Sequence, residues 1–176
     1  MAKKGETSFY EQRKRQKPAI EELAEQLLDG AVRDRFYDFL SFLKERRMKP
    51  CWYATGSYHL NYKGKRVGLI SIGRGSRFLK NHLQILIYTA PTNDLERFFK
   101  DESEETIREF RANIKYCEGC ASCAPGVRFT FLGDAYENVC FQGYNKLYVN
   151  PTPEEYDRIR QYIGLRRTYI QEVLAR

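Results

Sequence analysis

Histidine is almost missing from this chain: there are two in 176 residues. Neither His59 nor His82 stands in a motif, so the nucleophile-and-base or paired-carboxylate arrangements of acid–base enzymes find little support. Both histidines read as surface or satisfied sheet residues. Long apolar runs are also absent. Stretches such as Leu83 to Tyr88 fall far below the ~20 residues that a membrane helix needs, and the polar N-terminus has no apolar signal-peptide core. These absences set the expectation of a cytoplasmic protein with no membrane association. No internal repeat or low-complexity segment occurs, and no dinucleotide glycine pattern. Gly73 to Arg77 resembles a phosphate-cradling loop, but lacks the lysine and hydroxyl residue that a P-loop places in register, and reads as a turn.

Acidic residues are missing from one long block. Residues 51 to 90 carry Lys63, Lys65, Arg66, Arg74, Arg77 and Lys80 with no aspartate or glutamate, a net of +6 within a chain of net charge +7. Residues 1 to 18 hold Lys3, Lys4, Arg13, Lys14, Arg15 and Lys17 against Glu6 and Glu11, a net of +4, and read as a flexible basic arm ending at Pro18. At this length the remainder, residues 19 to 176, suits a single domain that buries its own core.

Helical spacing at Ile20, Leu23, Ala24, Leu27 and Leu28, with Gly30 as a stop, predicts one amphipathic helix. Val32, Phe36, Phe39, Leu40 and Leu43 predict a second, which runs to Met48 before Pro50. Strands follow: Tyr58, Leu60 and Tyr62 alternate with His59 and Asn61, Lys63-Gly64-Lys65 supplies a turn, and Val67 to Ile72 returns. Leu83 to Tyr88 reads as a buried strand halted by Ala90-Pro91. Asp101 or Ser103 can cap a helix with Ile107, Phe110 and Ile114 on one face, which would put Tyr116-Cys117 at a helix C-terminus. Alternation at Val127, Phe129 and Phe131, a turn at Gly133-Asp134, and runs at Asn138 to Phe141 and Lys146 to Val149 predict three further strands. Thr152, Pro153 and Glu155 form a capping box for a last helix that buries Tyr156, Ile159, Ile163, Ile170 and Val173. The order predicts an α+β fold: one mainly antiparallel sheet covered by N-terminal and C-terminal helices, plus a cysteine-rich loop.

The five cysteines are an odd number, and three of them, Cys117, Cys120 and Cys123, fall within seven residues. That is poor geometry for a disulfide framework and good geometry for thiolates that converge on one centre. Gly119 eases the turn, and Cys140 is the obvious fourth ligand, so the 117–140 region is the candidate metal site. Soft thiolates select zinc or an iron–sulfur cluster. The C-x2-C-x2-C spacing with a remote cysteine is the ligand arithmetic of a [4Fe-4S] cluster, although no proline follows Cys140. The frequency of structural zinc among cytoplasmic cysteine knuckles favours zinc in a four-cysteine site. Two blander readings compete: Cys51 and Cys140 as small buried hydrophobes, or the loop as a thiol redox switch.

A second candidate site is aromatic and basic. Trp52, Tyr53, Tyr58, Tyr62 and Tyr88 share the strand region with Lys63, Lys65, Arg66, Arg74 and Arg77, so the sheet could stack bases while cations hold the phosphates of a nucleic acid or another acidic ligand. Aromatic residues also fill strand cores, and the shared face of Tyr58, Leu60 and Tyr62 favours burial.

Cys51-Trp52-Tyr53, the hairpin at Tyr62 to Lys65, the run Cys120 to Gly126, Leu132-Gly133, Asn138-Val139-Cys140 and the Asn150-Pro151 entry to the last helix together resemble a family of small, uncharacterised bacterial proteins. The element order is also similar to the YjbR/YdhG-like α+β domains, which have a frataxin-like outline. Those relatives lack the cysteine knuckle. The resemblance implies a fold and assigns no activity.

Overall fold

A computed structural model describes residues 16–73, 79–119, 126–140 and 145–175. The expectations for arm residues 1 to 15, for Arg74 and Arg77, and for Cys120 and Cys123 lie outside the described residues. The α+β class holds, and the chain divides into two compact units.

The first unit comprises the chain up to Leu86 together with Leu147–Ile159. It opens with helix α1 (Ile20–Leu27), which buries Ile20, Leu23, Ala24 and Leu27, and helix α2 (Gly30–Glu45), which buries Phe36, Phe39 and Leu43. Gly30 does not stop the first helix. Leu28 already leaves it in an extended conformation, and Gly30 opens the second helix at φ +48°. Strands β1 (Pro50–Ala54), β2 (Ser57–Tyr62), β3 (Lys65–Ile72), β4 (Leu83–Ile87) and β7 (Lys146–Val149) form a five-stranded sheet in the order β1-β2-β3-β4-β7. Lys63 and Gly64, both at positive φ (46° and 75°), make the two-residue turn that sets the β2–β3 register of Tyr62 opposite Lys65.

Alternation sorts the sheet's two faces. Tyr58, Leu60 and Tyr62 are buried, as are Leu83 and Ile85. Pro18, assigned to the arm from sequence, is itself buried, and its carbonyl accepts a hydrogen bond from the Tyr58 hydroxyl at 2.8 Å.

The second unit comprises Ile87–Lys146 and the chain from Arg160 onward. A short helical turn that sequence spacing did not predict, Thr92–Asp94 running into helix α3 (Leu95–Phe98), buries Leu95 and Phe98. Helix α4 (Glu104–Ala112) is capped by Ser103, whose hydroxyl accepts from the Thr106 N–H at 3.2 Å. Strands β5 (Val127–Phe131) and β6 (Asp134–Val139) pair antiparallel as their own two-stranded sheet instead of joining a single sheet. Leu132 and Gly133, at φ +49° and +83°, make the two-residue turn of this hairpin. Phe99, Phe110 and Phe131 fill this unit's core, with ring centroids 4.6 to 5.5 Å apart. Lys146 is buried here too, its ammonium 5.3 Å from the Phe110 ring and 5.4 Å from that of Tyr162.

Helix α5 (Pro153–Leu174) starts in the first unit and ends in the second. Its capping box is complete: the Thr152 N–H donates to Glu155 Oε2 at 2.8 Å and the Glu155 N–H to Thr152 Oγ1 at 3.3 Å. Tyr156, Ile159, Ile163 and Ile170 are buried as the spacing predicts, whereas Val173 is exposed one residue before the helix ends.

Candidate metal centre

Helix α4 does not deliver Cys117 at its C-terminus. It ends at Ala112, the Asn113 N–H closes its last turn, and the chain straightens so that Tyr116 pairs antiparallel with Val139. Hydrogen bonds flank that bridge on both sides. The Cys117 N–H donates to the Asn138 carbonyl at 2.6 Å, and the Cys140 N–H donates to the Lys115 carbonyl at 2.9 Å. Because neighbouring side chains on extended backbone point to opposite faces, Cys117 and Cys140 share the face away from Tyr116 and Val139. Both cysteines are half-buried.

Val139 is paired on its other edge as well, with Val127 of β5. The segment that carries the cysteine run therefore leaves one edge of β6 at Cys117 and rejoins its opposite edge at Gly126-Val127. Cys140 is the first residue after the strand that both ends grip.

Asn138 organises this junction. It sits at φ +55°, where the β5–β6 register slips between Val127 and Phe129, so that two β6 residues oppose one on β5. Asparagine tolerates this left-handed conformation because its short amide can bond locally. Its Nδ2 donates to the Cys117 carbonyl at 3.2 Å, in the place where a regular ladder would use the backbone N–H. Gly126 packs against the same residue: a Cβ there would lie 2.5 Å from the Asn138 carbonyl carbon, closer than any side chain can approach backbone. At the hairpin's far end Arg111 pairs with Asp134 at 2.9 Å, and Glu96 Oε1 accepts the Leu132 N–H at 2.8 Å. The scaffold under the cysteines is thus tied at both ends.

Two of the four predicted ligands are brought to one face, and the other two, Cys120 and Cys123, are in the segment outside the described residues. No group of three metal-ligating side chains converges among the described residues. The donor chemistry present, two half-buried thiols on a braced strand end, fits a thiophilic ion or cluster and not a magnesium or calcium site. Sequence alone assigns Asn138 no role in the site. Its only signal there is an asparagine–valine–cysteine run inside an expected strand.

The other candidates separate. Cys51 is exposed, its thiol 3.4 Å from the Lys49 carbonyl, so neither it nor the half-buried Cys140 is a buried hydrophobe. Tyr58 and Tyr62 are core residues, Trp52 packs edge-on against Tyr58, and Tyr88 is half-buried. Tyr53, Lys63, Lys65 and Arg66 are exposed. Tyr53 lies over His59 with ring centroids 4.0 Å apart. The His59 imidazole is held below its ordinary pKa, first by burial and then by the nearby Arg66, and both ring nitrogens lack a hydrogen-bond partner among the described residues. No helix among the described residues is long and apolar enough to cross a membrane. Comparison with protein-family models, with curated proteins and with solved structures finds no match for the chain.

Proposed function

We propose that this protein is a small metal-binding module, in which Cys117, Cys120, Cys123 and Cys140 hold one zinc ion that staples the 117–126 loop to β6. The observation that carries this reading is the shared face of Cys117 and Cys140 beside the bridge at Tyr116 and Val139. Cys117 and Val127, which flank the segment bearing Cys120 and Cys123, are both joined to β6, and Cys140 directly follows that strand, which supports the convergence of the four thiols. Bound zinc would hold the thiols as thiolates and contribute folding energy that a short polar loop cannot supply alone. The role this supports is structural or regulatory binding.

A melting experiment tests it. A strong chelator should lower the melting temperature of the wild-type chain and of Cys51→Ala by on the order of 5–10 °C, the size expected when a few kcal/mol is lost at this chain length. Cys140→Ala should start lower and not respond. A Cys140→Ala protein with the full chelator response would remove Cys140 from the ligand set. An iron–sulfur cluster on the same four thiols is the rival reading, favoured by the C-x2-C-x2-C spacing, and brown colour with several irons per chain would establish it.

A further inference from the structure

We propose that the outer face of the β1–β2–β3 sheet is a binding surface for single-stranded nucleic acid, with Tyr53 as a base-stacking platform and Arg66 as a phosphate contact.

The register defines the face. Cys51 pairs with His59, which pairs with Leu69, and Asn61 pairs with Arg66, so these side chains lie opposite the buried Tyr58–Leu60–Tyr62 row. Tyr53 sits at the irregularity between Trp52 and Ala54, and its ring is turned onto His59 while remaining 58 % exposed. An aromatic ring that is open to solvent is what a base needs for stacking, and this one is pre-ordered by its tilted contact with the imidazole.

Charge selects the partner. None of the five strands of this sheet contains an aspartate or glutamate, and the exposed Arg66, opposite Asn61, puts a cation on this face, whereas Lys65 pairs with Tyr62 and the Lys63 ammonium lies 5.8 Å from the Tyr62 ring. From His59 to Asn61, the partner of Arg66, is roughly 7 Å at about 3.3 Å per residue. Stacking and phosphate neutralisation therefore fall side by side on one face, as the adjoining bases and phosphates of an extended chain require. A duplex hides its base faces, and an acidic peptide carries charge without stacking planes, so neither uses both halves of the surface.

Fluorescence anisotropy of the full chain with a labelled oligouridine tests this, with an equal-length duplex and a polyglutamate peptide as competitors. The single strand should bind most tightly. Tyr53→Ala should weaken it roughly 5- to 150-fold while Tyr53→Phe preserves it. Arg66→Gln should reduce the slope of log affinity against log salt by about 0.7. Circular dichroism would confirm that each variant is folded. The proposal is overturned if the oligonucleotide does not bind at low salt, if Tyr53→Ala binds as well as wild type, or if polyglutamate competes as effectively as the single strand.

Discussion

At the scale of single residues, Asn138 and Gly126 matter more to the candidate site than any feature other than the thiols. One supplies a left-handed kink with a side-chain amide on Cys117, and the other allows the returning chain to lie against that kink. Gly126→Ala must push two backbones apart, and should cost on the order of 1–3 kcal/mol in urea denaturation. An unchanged midpoint would mean that the junction is slack. Asn138→Gly keeps the backbone conformation and loses the amide, so it should destabilise less than Asn138→Ala, which loses both. Tyr169 offers a check on the second unit. Burial, and then its hydrogen bond to Asp94, push the Tyr169 hydroxyl up to about 12 from an ordinary value of 10.0. The folded chain then holds a proton that the unfolded chain releases first. The stability this contributes is fully present below about pH 10 and lost as pH rises through about 12. Tyr169→Phe should flatten the alkaline fall in melting temperature; an identical alkaline profile would show that the hydroxyl is not responsible.

At the scale of elements, those with many periodic positions were legible and those resting on one or two contacts were not. The core rows of α1, α2 and β2, the Lys63-Gly64 turn, the Ser103 cap and the Thr152 capping box all follow from local spacing, because each is decided by neighbours in sequence. Thr152→Ala, which removes the hydroxyl that accepts the Glu155 N–H, should cost about 1 kcal/mol, measurable as a lower denaturation midpoint. A change near zero would show α5 held by packing alone. Three features resisted reading for physical reasons. The Thr92–Phe98 helical stretch is too short to display a period, and Pro91 looked like a stop although it stands at the start of that turn. Gly30 carries the left-handed backbone expected of a helix end, yet that conformation serves the entry to α2. Pairing of Tyr116 with Val139 depends on residues 23 positions apart and leaves no local pattern, so the approach to Cys117 read as a helix end.

At the scale of the whole molecule, the sequence expectation of one sheet becomes two sheets in two compact units. The two candidate functions fall on different ones: the acid-free sheet face in the first, the cysteine junction in the second. Of the four cysteines expected to converge, spacing alone named the set. What it could not supply was the backbone pairing at the end of β6 that brings Cys140 beside the strand segment leading into Cys117, 23 residues earlier.

Elemental analysis of the purified chain, with an absorption spectrum and Cys140→Ala measured in parallel, tests the central claim most directly. A four-thiolate zinc site predicts about one zinc per chain, a colourless protein, and loss of most of that zinc in the variant. Metal-free wild-type protein, or a Cys140→Ala chain that retains its full zinc, would contradict it.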